Sequence, residues 1–263
     1  RTDAGWIRRQ FMGYQASKMR AFEAWAGPQF ARVIAVSDRD RAQFFERYGW
    51  SHVDTIDTAV DIDHFVPAAE AEAPESLVFV GSLDWLPNQD GLTWFVHEVW
   101  PLIRARVPGA VFRIVGRNPS KLMRTLAETP GIDLVGGVPD TRPWLTRSSV
   151  VVVPLRIGGG TRLKVFEAMA MGKPVVSTTL GAEGLAVESG NNIVLADGPG
   201  PFAESVVGLL QDSASRTRMG ESARRLVEEK FSSQSVARQF EQVCVDVAGV
   251  PSGPVASVAR SLK

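Results

Sequence analysis

The sequence predicts an α/β chain, a parallel sheet covered on both faces by helices. Three observations carry that prediction. Short apolar runs without polar alternation recur at Leu77–Leu83, Val111–Val115, Ile132–Val135, Val150–Leu155, Val175–Thr179 and Ile193–Leu195, as expected of strands buried on both faces. Segments of helical period separate most of them, at about Gln89–Arg106, Ser120–Glu128, Arg142–Arg147 and Thr161–Met171, which makes the connections right-handed crossovers. Third, VVVVPLRIGGGTRLKVFEAMAMGKPVVSTTLGAEGL, residues 150–185, packs a strand, a glycine loop, a helix and a strand into one short stretch.

Upstream of the sheet, helical spacing runs from about Ala4 to Ala26, with Trp6, Phe11, Tyr14, Phe22 and Trp25 among basic positions. Val33–Val36 reads as a short strand, Ser37 as the N-cap of a helix over Asp38–Tyr48, and Val53–Thr58 as a further strand. Asp61–Pro74, with its AAEAEAP run, has the composition of a linker. After the sheet come three helical segments, at about Pro201–Gln211, Ala214–Glu229 and Ser235–Ala248. The tail from Pro251 is rich in Gly, Pro and Ser and is expected to fray. The chain begins without a methionine, in RTDAGWIRRQ, and reads as a piece of a longer protein.

With 263 residues there is room for one large or two modest domains. A 44% hydrophobic and 22% charged composition is that of a globular protein. Zero formal net charge leaves no global field to attract nucleic acid or acidic lipid, so an anion site has to be local. The single cysteine, Cys244, excludes an internal disulfide and fits a reducing cytosol. It is expected on the apolar face of the last helix as a buried small hydrophobe. No apolar run approaches the ~20 residues of a membrane span, and no signal-peptide pattern is present. The chain is therefore placed in the cytoplasm, with peripheral contact at the inner membrane face as a second option.

In a parallel sheet, ligands bind at the carboxyl ends of the strands. Those ends carry Gly81-Ser82-Leu83-Asp84, Gly116-Arg117-Asn118, Gly136-Gly137-Val138 and Gly158-Gly159-Gly160-Thr161. Glycines allow close backbone approach. A helix expected to start at Thr161 would add free N–H groups and its dipole, a combination suited to phosphate. Glu167 would lie about 9 Å along that helix, leaning back toward its start, where a carboxylate can accept two ribose hydroxyls. The competing reading is an i, i+3 ion pair with Lys164. Arg162 and Lys164 put two cations in the first turn, against the dipole, and such local violations cluster at functional sites. Either they neutralise a diphosphate, Arg162 in bidentate fashion, or they form a solvated surface pair. Arg117 can reach the same cleft or stand as an ordinary loop arginine. Asp61 and Asp63 read as a solvated turn rather than a metal site, and His52, His64 and His97 show no metal spacing. No metal is expected. Neither G-x-G-x-x-G after a strand nor G-x-x-x-x-G-K-[ST] occurs.

The run PLRIGGGTRLKVFEAMAMGKPVVSTTLGAEGL resembles the donor-binding core of family 4 glycosyltransferases, which have the two-Rossmann-domain GT-B fold. LVFVGSLDWLPNQDGLTWF, VPGAVFRIVGRNP, IDLVGGVPDTRPWL and GESARRLVEEKFS extend the resemblance, as do RVIAVSDRDRAQF and TAVDIDHF, so that it spans roughly Ala31 to Val247. GGGTRLK followed by EAMA is similar to bacterial sugar transferases of exopolysaccharide and protein-sorting loci. The resemblance implies a Rossmann-like domain over 76–230 that binds a nucleotide-diphosphate sugar as donor substrate, with no further cofactor. Residues 1–75 would be a remnant of an acceptor-side domain plus linker, 231–250 a helix crossing back to it, and 251–263 a flexible tail. Glu167 would hold the ribose, backbone amides near Thr161–Leu163 the diphosphate, and Gly137 and Val138 the base edge. Gly81 would let the sugar diphosphate approach the first strand.

Two departures stand out. Most of the family has a second glutamate eight residues before the helical one, where this chain has Gly159. An Arg and a Lys often follow the first strand of the domain, where Ser82 and Asn88 lie here. Arg162 and Lys164 are then the nearest source of cations, in a catalytic role. The expected activity is transfer of a hexose-type sugar from a UDP- or GDP-sugar to a cell-envelope glycan or lipid-linked acceptor, the acceptor held by the missing N-terminal domain, so that the piece alone is expected to be inactive. The alternatives are a non-catalytic nucleotide-sugar-binding module and a sugar-nucleotide epimerase of the same fold.

Overall fold

A computed structural model describes residues 3–68, 72–158 and 160–249, of which 3–9 are described as backbone only. They fall into two compact units, one drawn from Arg1–Asp57 and Ala237–Lys263, the other from Thr58–Val236.

The first unit opens with α1 (Asp3–Ala26), followed by β1 (Val33–Ala35), α2 (Asp38–Tyr48) and β2 (Val53–Thr55). The Ser37 hydroxyl caps α2 by accepting from the Asp40 amide at 3.1 Å, as its place before the helix predicts. β1 and β2 pair in parallel, Val33 opposite Val53. Ala35, Trp50 and Val53 form a small core with Val33, Phe44 and Tyr48 packed on it. On α1, Phe11, Tyr14, Phe22 and Trp25 are all exposed.

The second unit runs β3 (Ser76–Val80), α3 (Leu86–Trp94), α4 (Trp100–Arg106), β4 (Val111–Val115), α5 (Lys121–Leu126), β5 (Ile132–Gly136), α6 (Arg142–Thr146), β6 (Val150–Val153), α7 (Leu163–Ala170), β7 (Val175–Ser177), β8 (Val194–Leu195), α8 (Pro199–Gln211) and α9 (Ser213–Leu226). A π-helical turn over Phe95–Val99 joins α3 to α4, so the single helix expected over 89–106 is one rod with a widened turn. The six strands lie in the order β5-β4-β3-β6-β7-β8, and every pairing is parallel. That is the doubly wound arrangement the continuous apolar runs predict.

Period-2 alternation divides the strand residues between two cores. Leu77, Phe79, Val150 and Val152 face one side, against Leu92, Ile103, Phe202 and Val206 of α3, α4 and α8. Val78, Val151 and Val153 face the other, against Val165, Phe166 and Met169 of α7 and Ala223 of α9. Phe166 stacks on Phe231 with ring centroids 4.3 Å apart. Each fully buried side chain of this size contributes about 1.5–3 kcal/mol, so these interfaces hold α7 firmly against the sheet.

The described parts of the stretch with linker composition, 61–68 and 72–74, belong to this unit. Ile62 and Phe65 pack on the second core, and the Arg224 guanidinium donates to the carbonyls of Ile62 (3.2 Å), Phe65 (2.7 Å) and Ala170 (2.6 Å). Farther along, the Glu72 carboxylate pairs with Lys173 at 2.9 Å and Arg216 at 3.3 Å. The last helix, α10 (Ser233–Ala248), has no buried residue. Cys244 is accordingly exposed, not the buried small hydrophobe expected, because nothing among the described residues covers that face. No helix of the described residues is long and apolar enough to cross a membrane.

Candidate functional site

From β3 the chain winds outward to β4 and β5, then returns to place β6 on the other side of β3. The loops leaving β3 and β6 therefore diverge and open a crevice at the carboxyl edge, the place where doubly wound sheets bind ligands.

Close packing shapes the β3 side. Gly81 N–H donates to the Val115 carbonyl at 3.0 Å, and Leu83 N–H to the Arg117 carbonyl at 3.0 Å. A Cβ on Gly116 would fall 1.7 Å from the Gly81 carbonyl oxygen, so the two strand exits can touch only without a side chain there. Ser82 Oγ and Asn118 Nδ2 both donate to the Asp84 carboxylate, at 2.8 and 2.9 Å. These bonds, Asn118's first, hold its carboxyl below the usual aspartate value. Arg117 is exposed, its Nε 3.3 Å from Ser82 Oγ.

On the β6 side Gly158 and Gly160 have φ of +92° and +119°, a region glycine enters without strain. Gly159 lies outside the described residues. Thr161 is exposed. Arg162 also has a positive φ, 53°, and stands at the N-cap of α7. The helix thus starts at Leu163 and not at Thr161, because the left-handed turn carries the loop two residues further than its glycines indicate. Arg162 is buried, and its Nη2 donates to the carbonyls of Gly158 at 2.8 Å and Leu180 at 3.0 Å. It ties the glycine loop to the loop after β7 instead of standing in a helical turn. Burial lowers its pKa. No side chain caps α7; of its first turn, the Val165 N–H donates to the Arg162 carbonyl at 2.8 Å, while the N–H groups of Leu163 and Lys164 have no acceptor within the helix.

Lys164 leaves the first turn of α7 and crosses to the β3 side. Its Nζ donates to Asn88 Oδ1 at 2.9 Å, lies 4.4 Å from the centre of the Phe79 ring, and sits 2.8 Å from where a Gly81 Cβ would be. Gly81 thus makes room for a cation. Burial, then the neighbouring Arg162, brings the Lys164 pKa down to about 7, against the opposing pull of Glu167.

Glu167 is half-buried on α7, four residues past Leu163, or about 6 Å along the axis. Its carboxylate makes no hydrogen bond or ion pair among the described residues, since Lys164 is turned toward Asn88. Burial raises the Glu167 pKa, and the charges of Lys164 and His64 oppose that rise. Gly137 and Val138 follow β5, Gly137 exposed with its Cβ position 3.5 Å from Arg117 Cα, Val138 half-buried against the second core.

His64, read in the sequence as one of three scattered histidines, is brought within electrostatic reach of Glu167. Asp61 Oδ1 accepts from the amides of Asp63 (3.1 Å) and His64 (2.9 Å), the turn expected of that aspartate pair. Arg142 grips Asp140 through Nε and Nη2 (3.0 and 2.7 Å), and its Nη1 donates to the His64 carbonyl at 3.1 Å. Asn88 was legible only as a missing cation, and nothing in its neighbours points to Lys164, 76 positions away. Among the described residues, no group of three His, Cys, Asp or Glu side chains could hold a metal ion.

The model of the family glycosyl transferases group 1 matches residues 74–212, more than half of the chain and all of the crevice loops. The chain belongs to that family. It is 30% identical to D-inositol 3-phosphate glycosyltransferase 2 of Catenulispora acidiphila over 73% of this chain and 51% of that protein. To the lipopolysaccharide core biosynthesis glycosyltransferase LpsE of Rhizobium meliloti it is 26% identical, over 68% of this chain and 53% of that one. This member spans about half the length of these curated relatives. Its six-stranded parallel sheet flanked by helices is one Rossmann-like half of the GT-B glycosyltransferase fold. A mutant of S. aureus TarM, crystallised with Fondaparinux, alpha-GlcNAc-glycerol and UDP, superposes with a TM-score of 0.70 at 19% identity, covering 86% of this chain and 46% of that one.

Proposed function

We propose that the second unit binds a nucleotide-diphosphate sugar and serves as the donor half of a glycosyltransferase. One observation carries the reading: two charges of opposite sign, the Glu167 carboxylate and the Lys164 ammonium, flank the uncapped start of α7 without pairing with each other. A nucleoside diphosphate supplies each of them with a partner of the right chemistry. The ribose offers hydroxyl donors to Glu167, and the diphosphate offers anionic oxygens to Lys164 and the helix start. Backbone amides at Thr161–Leu163 meet the phosphates, Gly159 and Gly160 let the backbone come close, and Gly137 and Val138 meet the base. Arg162, tied to the Gly158 and Leu180 carbonyls, adds a fixed positive charge beside them, and Arg117 stands at the mouth.

Transfer breaks the bond between the anomeric carbon and the diphosphate oxygen and forms one to an acceptor hydroxyl oxygen, whose proton passes to the departing diphosphate or to water. The leaving group gathers negative charge as that bond breaks. A positioned ammonium and a helix N-terminus then stabilise the transition state more than the ground state. The relative in lipopolysaccharide core biosynthesis supports a cell-envelope glycan or lipid-linked acceptor. Fold likeness to a protein crystallised with UDP supports UDP ahead of GDP as the first probe. The test is titration calorimetry with UDP, GDP and uridine, followed by labelled UDP- and GDP-sugars with a membrane extract. Labelled glycolipid or glycan marks a transferase, an altered free sugar nucleotide marks an epimerase, and binding without turnover marks a carrier module. Absence of binding by either nucleotide would overturn the donor-site reading.

A further inference from the structure

We infer that Asn88 is the positioning residue for the phosphate-facing cation: its amide, locked in one orientation by the Ser82 carbonyl, holds the Lys164 ammonium in the space that Gly81 leaves open. The inference rests on the donor-site reading above and adds to it the device that sets the cation's place and charge.

Asn88 is 1% exposed, and both ends of its amide are engaged. Nδ2 donates to the Ser82 carbonyl at 2.7 Å, and Oδ1 accepts from Lys164 Nζ at 2.9 Å. Its backbone N–H donates to the Trp85 carbonyl at 3.0 Å, fixing the residue in the first turn of α3. Rotating the amide by half a turn would set its NH₂ group against the ammonium and its oxygen against a carbonyl, so one orientation is imposed. The Lys164 stem is a flexible four-carbon chain, and beside the non-directional contact with the Phe79 ring the Asn88 oxygen is the directional acceptor that sets its end point.

The residue type matters as much as the place. A neutral carbonyl accepts a hydrogen bond and leaves the positive charge uncancelled, ready for an incoming anion. An aspartate in the same position would form an ion pair and remove that charge. An apolar residue would leave a buried ammonium without an acceptor and drive it to the neutral form. The charged groups acting on Lys164 are Arg162, which disfavours the proton, and Glu167, which favours it. From β3 and α3 it meets the Phe79 ring and Asn88, both uncharged.

The experiment combines Asn88→Ala and Asn88→Asp with two readouts: calorimetry with uridine, UMP and UDP, and an NMR titration of the Lys164 side chain in selectively labelled protein. Circular dichroism checks folding, and the near-isosteric Asp variant keeps the test in hand if the Ala variant fails to fold. Expected is a loss of about tenfold or more in UDP affinity for both variants, with uridine affinity unchanged. The Lys164 titration should move in opposite directions, down from about 7 in the Ala variant and up in the Asp variant. A role confined to packing in α3, without contact to the ammonium, would leave the Lys164 titration unmoved in the Ala variant. If the wild type binds UDP and the variants lose uridine and UDP equally, or Lys164 titrates unmoved, the assignment of Asn88 is overturned while the donor site stands. If the wild type binds no UDP although Lys164 shifts as described, the donor reading falls, and with it the phosphate role claimed for Asn88.

Discussion

Replacing Glu167 by Gln should make the unliganded protein more stable and the UDP-bound protein less well stabilised. The carboxyl is half-buried and makes no hydrogen bond or ion pair among the described residues, and burial raises its pKa above the usual glutamate value. A carboxyl with a higher pKa in the folded than in the unfolded chain favours folding fully only below its unfolded value, about 4.3. That contribution is lost as pH rises through the folded value, so at pH 7 the ionised group opposes folding. Gln removes the opposition at neutral pH and gains nothing below about pH 3, where both states carry the proton. Binding changes the other way. In the proposed donor site two ribose hydroxyls donate to the carboxylate at about 1.5–3 kcal/mol each, and Gln keeps one acceptor oxygen, so at least ~1.5 kcal/mol, or about 13-fold, is lost. At a UDP concentration one hundred times the wild-type Kd, stabilisation is about 2.7 kcal/mol, and it falls to about 1.3 kcal/mol in the variant. For a unit of this size that turns a UDP-induced rise in Tm of about 5–11 °C into one of about 3–5 °C. Differential scanning calorimetry at pH 7, with and without UDP, reads both effects. An unchanged UDP increment, or an unliganded Tm that falls, would refute the assignment of Glu167 to the ribose.

Lys164→Met should weaken UDP by about ten- to a hundredfold and leave uridine alone, since one charge-assisted bond to phosphate disappears; equal losses for both ligands in calorimetry would argue against a phosphate role. In the wild type UDP affinity should fall as pH rises through about 7, where the free Lys164 ammonium loses its proton, and the Met variant should lack that step. Because the folded pKa is depressed, Lys164 favours folding fully only above its unfolded value of about 10.4, and that contribution is lost as pH falls toward about 7; the unliganded Met variant should therefore melt higher than wild type at pH 7. Gly116→Ala, whose Cβ would fall 1.7 Å from the Gly81 carbonyl oxygen, should cost about 1–3 kcal/mol in urea unfolding and weaken UDP by displacing the β3 exit. Phe166→Ala should lower stability by about 3–5 kcal/mol, read in the same way, through loss of a buried ring stacked on Phe231.

The sheet was legible because strands buried on both faces leave an unmistakable trace: Val150–Val153 admits no polar residue. The Asp38–Tyr48 helix was legible to the residue, since Ser37 marks its start and Gly49, at φ 68°, its end. Glu167 could be placed near the start of α7 because local helix geometry fixes it relative to the glycine loop. What escaped depends on contacts between distant segments or on backbone states that composition does not mark. Arg162 occupies a left-handed conformation that a non-glycine residue rarely takes, so the helix start was read too early. The bond from Lys164 to Asn88 arises from the β3–β6 adjacency, which no local pattern states. Residues 61–68 have the polar composition of a linker, yet Ile62 and Phe65 anchor them and Arg224 satisfies their carbonyls.

The adjacency of β3 and β6 also sets the order in which the molecule can become functional. Leu77 pairs with Val150, and two intervening strands and four helices must be accommodated before that ladder closes. Local pairings such as β3 with β4 close shorter loops and have less entropy to overcome. The crevice therefore exists only after the longest-range pairing in the sheet has formed, and a partly folded chain has the glycine loop and the Asn88 turn but no site. UDP should accordingly leave the refolding rate unchanged in stopped-flow measurements while slowing unfolding, the signature of contacts absent from the transition state. Ligand capture then reports closure of the β3–β6 ladder.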